Sequence, residues 1–268
     1  MFLCKSHQSQ IARNANVSRS TSAVSVSNSK VGKSAPRVEG SLRILNILEC
    51  PNDVLCCQFS VDGRNLAVGL KDGMIKIYNT QSGQARYQLA DKDCLMLHLP
   101  VTQIRFRALD TERRNDYMNI LIASYASGMV KLWHYPTATC VATISEKRQT
   151  LSIEVNPDRS KLLTTGSDAF IHVYDLETRK LINTCKASDS QQLMDGHKFR
   201  VFAAQYHPAT QNTFISGGWD NTVQYWDDRN PRSFRHFTGP HICGDSLAID
   251  ASTNQILTGS WRRTNILQ

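Results

Sequence analysis

A segment of one recurring shape occurs four times along this chain and limits the possible folds more than any other feature. Each copy starts with small residues, passes through a polar turn into alternating apolar residues, and ends on Tyr or Trp. The copies span residues 67–78, 123–133, 164–174 and 216–226. Polar insertions at 110–116 and 188–196 lengthen two of the intervals. Without about ten residues from each insertion, the period is roughly 41–45 residues.

Short β-rich runs alternate with polar turns from about residue 41 onward, and no long helical pattern is visible. This pattern and period are typical of β-propellers, in which each repeat forms one four-stranded blade. The strands of the four repeats are predicted at 53–60, 65–71, 74–79, 84–90, 101–108, 119–125, 129–134, 139–145, 150–156, 161–167, 170–175, 181–186, 200–206, 212–218, 222–227 and 233–237. Two more are predicted at 243–249 and 255–261.

The fourth repeat supplies a family resemblance. Gly196-His197, followed by residues 214–227, resembles a well-formed WD40 repeat, and the resemblance extends over roughly residues 43–268. It implies an all-β WD40 β-propeller, with about four and a half blades in a domain that spans 41–268. The blades are expected at about 43–91, 99–147, 149–189, 197–239 and, in part, 241–268.

The resemblance also implies a hydrogen-bonded structural tetrad in the fourth blade. Its members are His197, Ser216, Asp220 and Trp226, because a buried indole N–H and a buried imidazole need polar partners. The Ser/Thr position of the other repeats holds Val68, Ala123, Thr164 and Thr258, and their Asp position holds Asp72, Ser127, Asp168 and Arg262. The tetrad is complete only in the fourth blade, so the other blades are expected to depend on apolar packing.

The chain stops about two residues before the next expected Trp-Asp pair. Residues 43–48 look like the outer strand of a last blade, whose inner strands are absent from the sequence. A propeller truncated at its C-terminus is therefore predicted, such as a fragment or a splice product. The alternative is an open array that closes by pairing with another chain.

The formal net charge of +8 is concentrated in the N-terminal segment. Residues 1–40 hold six Lys or Arg, one acid and nine serines, which predicts a disordered basic, Ser-rich tail. The tail, with Arg113-Arg114 and Arg262-Arg263, supports RNA binding as one alternative function. No clear amphipathic helix is visible in it, so a mitochondrial transit peptide is not predicted.

Motifs of catalysis and metal binding are not found in the sequence. It has no G-x-S-x-G or H-E-x-x-H motif, and its eight cysteines contain no C-x-x-C pair. No apolar run reaches the ~18 residues needed to cross a bilayer. We therefore expect no catalytic residue, no metal site and no cofactor, no membrane association, and a location in the cytoplasm or nucleus.

The resemblance implies a scaffold that recruits other proteins. Its expected binding face is formed by the loops between blades and by the loops between the second and third strands. The residues predicted on that face are Lys71, Ser167, Arg200, Trp219, Trp261, Arg262 and Arg263. Trp and Arg side chains commonly dominate the energy of protein interfaces.

A second alternative rests on Trp226-Asp227-Asp228-Arg229, the W-D-x-R ending of a box over residues 214–229. WD40 proteins with this box resemble substrate receptors of cullin–RING ubiquitin ligases. The resemblance implies that Asp227 and Arg229 contact the ligase adaptor, since a guanidinium suits a carboxylate partner.

Overall fold

Four antiparallel sheets of four strands account for most of the structure. The computed structural model describes residues 2–6, 46–107, 119–190 and 192–268. Sheet 1 contains β3 (Val54–Phe59), β4 (Asn65–Leu70), β5 (Ile75–Asn79) and β6 (Ala85–Leu89), and sheet 2 contains β7 (Val101–Phe106), β8 (Ile120–Tyr125), β9 (Met129–His134) and β10 (Thr139–Ser145). Sheet 3 contains β11 (Thr150–Val155), β12 (Lys161–Gly166), β13 (Ile171–Asp175) and β14 (Leu181–Cys185), and sheet 4 contains β15 (Val201–Tyr206), β16 (Thr213–Gly218), β17 (Thr222–Asp227) and β18 (Arg235–Thr238). The predicted all-β class is confirmed.

The remaining elements are short. A two-stranded sheet 5 contains β19 (Leu247–Ile249) and β20 (Ile256–Thr258), and helix α1 (Lys92–Leu97) joins sheet 1 to sheet 2. The strands predicted for the four repeats agree with β3 to β18 within two residues at each end. The strands predicted at 243–249 and 255–261 are shorter in the structure. Residues 243–246 form a loop instead, and this loop carries Asp245 toward Arg105.

Each hydrophobic core lies between two neighbouring sheets. Ile75 and Ile77 of sheet 1 pack with Trp133 of sheet 2 in one cluster of fully buried side chains. Val173 of sheet 3 shares another cluster with Trp226 of sheet 4. The central strands carry apolar residues on both of their faces. Each sheet therefore needs a neighbour on either side to bury these residues.

The first strand of every four-stranded sheet carries a register shift near its start. The shifts fall between Val54 and Cys56, Val101 and Gln103, Thr150 and Ser152, and Val201 and Ala203. A bulge adds one residue to a strand and turns its side chain away from the pairing. The added residues line a central cavity of about 560 Å³; they are Leu55, Thr102, Leu151 and Phe202.

Arg105 connects several sheets at this cavity. Its Nε donates to Glu154 at 2.7 Å, and its Nη2 donates to Asp245 at 3.1 Å. Its Nη1 lies 3.4 Å from the side-chain oxygen of Gln58. The guanidinium on sheet 2 thereby contacts sheet 1, sheet 3 and the loop before sheet 5.

Strand β2 (Asn46–Cys50) overlaps the outer strand predicted at 43–48, of which residues 43–45 lie outside the described residues. It buries Leu48 and Cys50 against Tyr78 of sheet 1 and pairs in parallel with β1 (Phe2–Ser6). Residues 2–6 of the predicted basic tail form β1. The rest of that tail, including its serines, lies outside the described residues, as do Arg113 and Arg114.

The ion pairs of Arg105 yield a stability prediction. Arg105→Met should lower the free energy of unfolding by about 3–5 kcal/mol, because it leaves Glu154 partly buried without its cation. Adding Glu154→Leu should recover most of the loss. Denaturant unfolding measures both effects, and Arg64→Met, at an exposed arginine, is the control. A single variant as stable as the control would contradict this assignment.

Candidate functional site

One backbone hydrogen bond recurs in sheets 1 to 5 and marks equivalent surface positions. Each time, the N–H of a residue at the turn after the second strand donates to a carbonyl in the connection that leads into the first strand of the same sheet. The five bonds, each 2.9–3.1 Å long, join Lys71 to Asp53, Ala126 to Pro100, Ser167 to Gln149, Trp219 to Arg200, and Trp261 to His241.

These bonds define one face of the molecule, which we call the loop face. In an antiparallel sheet of four strands, the loop after the second strand and the loop after the fourth strand emerge at the same edge. The loop face therefore contains the connections between sheets, the turn between the second and third strands of sheets 1 to 4, and the loop after β20 in sheet 5. Lys71, Ser167, Trp219 and Trp261 all lie there, at equivalent positions.

Trp219 is held in place by three neighbours. Its ring stacks on Phe202 at 5.3 Å and on His241 at 6.2 Å between centroids. The guanidinium carbon of Arg200 lies 5.2 Å from the centre of the indole ring. Phe202 is the added residue of the β15 bulge, so this strand irregularity positions the tryptophan. Trp219 as a whole nevertheless remains 42% exposed.

Further exposed aromatic side chains adjoin Trp219. Trp261 is 79% exposed, and its backbone N–H donates to the carbonyl of His241. Phe199, next to Arg200, is 60% exposed. We call Phe199, Arg200, Trp219, His241 and Trp261 the aromatic patch. Arg262 and Arg263 follow Trp261 directly and are exposed.

The other predicted face residues lie on different sheets. Lys71 pairs with Asp53 at 3.3 Å on sheet 1. The hydroxyl of Ser167 accepts the backbone N–H of Gln149 at 3.2 Å on sheet 3. The structure thus brings Arg200 and the two tryptophans together and leaves Lys71 and Ser167 outside the patch.

A second exposed apolar group on the loop face was not predicted. It lies on α1 and the following loop, and its members are Leu95, Met96, Leu97 and Leu99. The helix begins after Asp91, whose side chain accepts the backbone N–H of Cys94. Lys131, buried below, pairs with Asp91 and Asp93 at 2.5 and 2.8 Å.

The four residues predicted as a tetrad form a continuous chain of hydrogen bonds in sheet 4. Trp226 Nε1 donates to Ser216 Oγ at 2.7 Å, and His197 Nε2 lies 2.6 Å from the same hydroxyl. His197 Nδ1 lies 2.7 Å from Asp220 Oδ2. Burial would raise the pKa of Asp220, but hydrogen bonds from His197 and Thr222 hold it below its ordinary value.

Sheet 3 contains a different polar network at the same place, which corrects the expectation of apolar packing alone. Glu146 lies four residues before β11, as His197 lies four residues before β15. Its carboxylate accepts the hydroxyls of Thr164 at 2.6 Å and Tyr174 at 2.9 Å. Glu146 thus contacts the residues that correspond to Ser216 and Trp226.

The positive charge of Arg148 neutralises the buried carboxylate of Glu146. Arg148 Nε donates to Glu146 at 3.1 Å, and its Nη1 donates to Asp168 at 2.6 Å. His172 Nδ1 lies 2.9 Å from the same carboxylate. Burial opposes the ionisation of Glu146, yet the hydrogen bond from His172 and the charge of Arg148 hold its pKa well below the ordinary value.

Sheets 1 and 2 use weaker polar contacts. The hydroxyl of Tyr78 lies 3.5 Å from the sulfur of Cys50, which precedes β3 by four residues. Trp133 Nε1 donates to the hydroxyl of Tyr125 at 3.2 Å. Cys50, Glu146 and His197 each lie four residues before the first strand of sheets 1, 3 and 4, and this spacing is the signal that could have identified Glu146 in the sequence.

The residues proposed for adaptor binding form a surface pair with each other. Arg229 Nε and Nη2 donate to Asp227 at 2.8 and 2.5 Å, and the arginine side chain is mostly exposed. They lie in the turn after the third strand of sheet 4, at the opposite edge from the loop face.

Two further features concern metals and membranes. Among the described residues, no group of three or more His, Cys, Asp or Glu side chains is arranged to hold a metal ion. Over the same ranges, no helix has the length and hydropathy needed to cross a bilayer.

Comparison with protein families identifies two repeats in this chain. The model described as "WD domain, G-beta repeat" matches residues 42–79 and 188–227. These ranges contain most of sheet 1 and most of sheet 4.

Several curated proteins are similar to this chain. Dynein axonemal intermediate chain 4 of Danio rerio is 26% identical over 199 residues, which cover 67% of this chain and 24% of that protein. Periodic tryptophan protein 2 of Arabidopsis thaliana is 26% identical over 65% of this chain and 17% of its own length. Ribosome biogenesis protein YTM1 of Phaeosphaeria nodorum is 34% identical over 38% of this chain and 20% of its own length. The chain thus spans a quarter or less of these relatives.

A solved structure shares the fold. A chain in the crystal structure of the mitotic checkpoint complex superposes with a TM-score of 0.64 and 16% sequence identity. The match covers 80% of this chain and 59% of the other.

The Glu146 network yields a prediction on pH dependence. Because the folded-state pKa of Glu146 is lowered from 4.5, its contribution to stability is complete above about pH 5 and is lost as the pH falls. Glu146→Gln should cost about 3 kcal/mol of unfolding free energy at pH 7. The difference from the unmutated chain should shrink between pH 5 and pH 3.

Denaturant unfolding over this pH range measures the effect. Glu177→Gln changes an exposed carboxylate in a turn of the same sheet and should have no effect. A pH-independent difference between Glu146→Gln and the unmutated chain would show that the carboxylate charge does not stabilise the fold.

Proposed function

Because this chain carries WD40 repeats, we propose that it is a non-catalytic scaffold that recruits other proteins into a complex, with the aromatic patch as a docking site. The observation that carries the proposal is the fixed geometry of Trp219. Phe202, His241 and Arg200 hold its ring, while part of the indole remains exposed. We expect the scaffold in the cytoplasm or nucleus.

Preorganisation makes Trp219 suitable for binding. A side chain already held by stacking loses little rotamer freedom when a partner docks, so more of the contact energy contributes to affinity. Trp and Arg are also the residues most enriched among energetically dominant interface positions. The patch combines two tryptophans with Arg200, and Arg262 and Arg263 follow directly.

The surroundings of Trp219 supply rigidity. Its backbone N–H donates to the carbonyl of Arg200. The next residue, Asp220, is connected through His197 and Ser216 to the buried Trp226. Docking therefore requires little reordering of this loop. The exposed apolar residues of α1 provide further contact area on the same face.

The similar proteins support a role in assemblies. Their names refer to a dynein chain, to ribosome biogenesis and to the mitotic checkpoint complex. A fold with a rigid core and variable loops suits such roles. The surface residues can differ from one protein to another while the fold stays the same.

The ubiquitin-ligase alternative stays a prediction. Asp227 already engages two nitrogens of Arg229, so an adaptor carboxylate would have to share or displace this contact. Loss of adaptor co-purification with Arg229→Asp is the expected outcome if the chain is a ligase receptor. Unchanged co-purification would remove that alternative.

Substitution of the stacked tryptophan tests the scaffold proposal. Trp219→Ala should weaken binding of at least one protein partner by ~30-fold or more, which corresponds to about 2 kcal/mol at an interface centre. Quantitative mass spectrometry of proteins retained by the immobilised full chain measures the change. The melting temperature should show that the variant remains folded.

Phe234→Ala is the matched control, because Phe234 is also exposed and contacts Tyr225 on sheet 4 next to the outer strand. It should keep every partner. If Trp219→Ala also retains every partner at unchanged affinity, the aromatic patch is not the docking site.

A further inference from the structure

The charge around the aromatic patch has one sign. Four segments form the patch and its rim: 196–202, 218–221, 239–242 and 259–263. Their basic residues, apart from histidine, are Lys198, Arg200, Arg262 and Arg263. Their acidic residue is Asp220, whose side chain is only 4% exposed and is bound by His197. The accessible surface of the patch is therefore cationic.

Elsewhere on the loop face, two basic side chains have acidic partners. Lys71 pairs with Asp53, and the buried Lys131 pairs with Asp91 and Asp93. By contrast, within the described ranges no carboxylate lies at salt-bridge distance from Arg200, Arg262 or Arg263. These three guanidinium groups are available to carboxylates from outside the chain.

We propose that the aromatic patch binds an acidic peptide segment that carries an aromatic or large apolar side chain. This inference rests on the proposed scaffold function and names the chemistry of the partner. The apolar side chain contacts the exposed part of Trp219 and the ring of Trp261. Carboxylates on either side of it pair with Arg262 and Arg263, since a guanidinium can bind a carboxylate through two parallel hydrogen bonds.

The geometry of Trp219 favours a peptide over single-stranded RNA. Base binding depends on stacking against an open aromatic face. Phe202, His241 and Arg200 already lie against the indole ring, so less of its face is open to a base. An apolar side chain can pack against the remaining exposed surface, whereas a base would have less area for stacking.

Fluorescence anisotropy with defined probes tests the proposal on the full chain. The first probe is a labelled 12-residue peptide of Glu, Asp and Gly with one central Phe. The second replaces every acid by its amide, the third replaces Phe by Ala, and the fourth is a 12-nucleotide oligo(U) RNA. We expect binding of the first peptide, at least tenfold weaker binding of the second and third, and weaker binding of the RNA.

Charge reversal locates the site. Arg262→Glu with Arg263→Glu should weaken binding of the acidic peptide at least tenfold and reduce its dependence on salt. Arg179→Glu with Lys180→Glu is the matched control, because it makes the same charge change at exposed positions in a turn at the opposite edge. That variant should bind as the unmutated chain does. Arg262→Gln with Arg263→Gln provides a milder change if the reversal affects folding.

Three results would overturn the inference: equal binding of the acidic and amide peptides, equal loss in the two charge-reversal variants, or tighter binding of the RNA. None of these results tests the scaffold proposal. That proposal is tested by comparing the proteins that bind the immobilised chain with those that bind its Trp219→Ala variant. If Trp219→Ala loses protein partners and the unmutated chain shows no preference for the acidic peptide, the scaffold proposal is supported. The proposal that the partner is an acidic peptide is then wrong.

Discussion

Burial of sheet faces against neighbouring sheets is the constraint on which the structure depends. A four-stranded sheet with apolar residues on both faces of its central strands cannot cover them alone. Trp133 and Trp226 each lie fully buried in a cluster that two sheets share. The repeat of about 41–45 residues is the length of chain needed to supply one such sheet and its connections.

The same constraint creates the candidate site. Stacked antiparallel sheets send their connections and their second turns to a single edge, where side chains are free to vary. At sheet 4, the bulge in β15 directs Phe202 toward the cavity and under Trp219, while a backbone bond to Arg200 fixes the turn. The position of the exposed Trp219 therefore depends on the regular arrangement of the sheets and on the bulge in β15.

Regular features could be predicted because they repeat. The four strands of each sheet, the aromatic closing positions and the residues before the second turn follow from periodicity and from the WD40 resemblance. Glu146 was missed because a search for histidine does not find a carboxylate that makes the equivalent contacts. Helix α1 has only six residues, too few for a helical period to show. The loop at Asp245 depends on Arg105, 140 positions earlier, and local sequence carries no sign of that contact.

Native-state hydrogen exchange on the full chain in low concentrations of guanidinium chloride tests the shared cores most directly. If neighbouring sheets stabilise each other, the amides of β4 and β5 should lose protection at the same denaturant concentration as those of β8 and β9. The outer strands β6, β10, β14 and β18 should open earlier, since they are edge strands whose side chains are mostly exposed or half-buried. Independent opening of sheet 1 and sheet 2, each at its own denaturant concentration, would contradict the account.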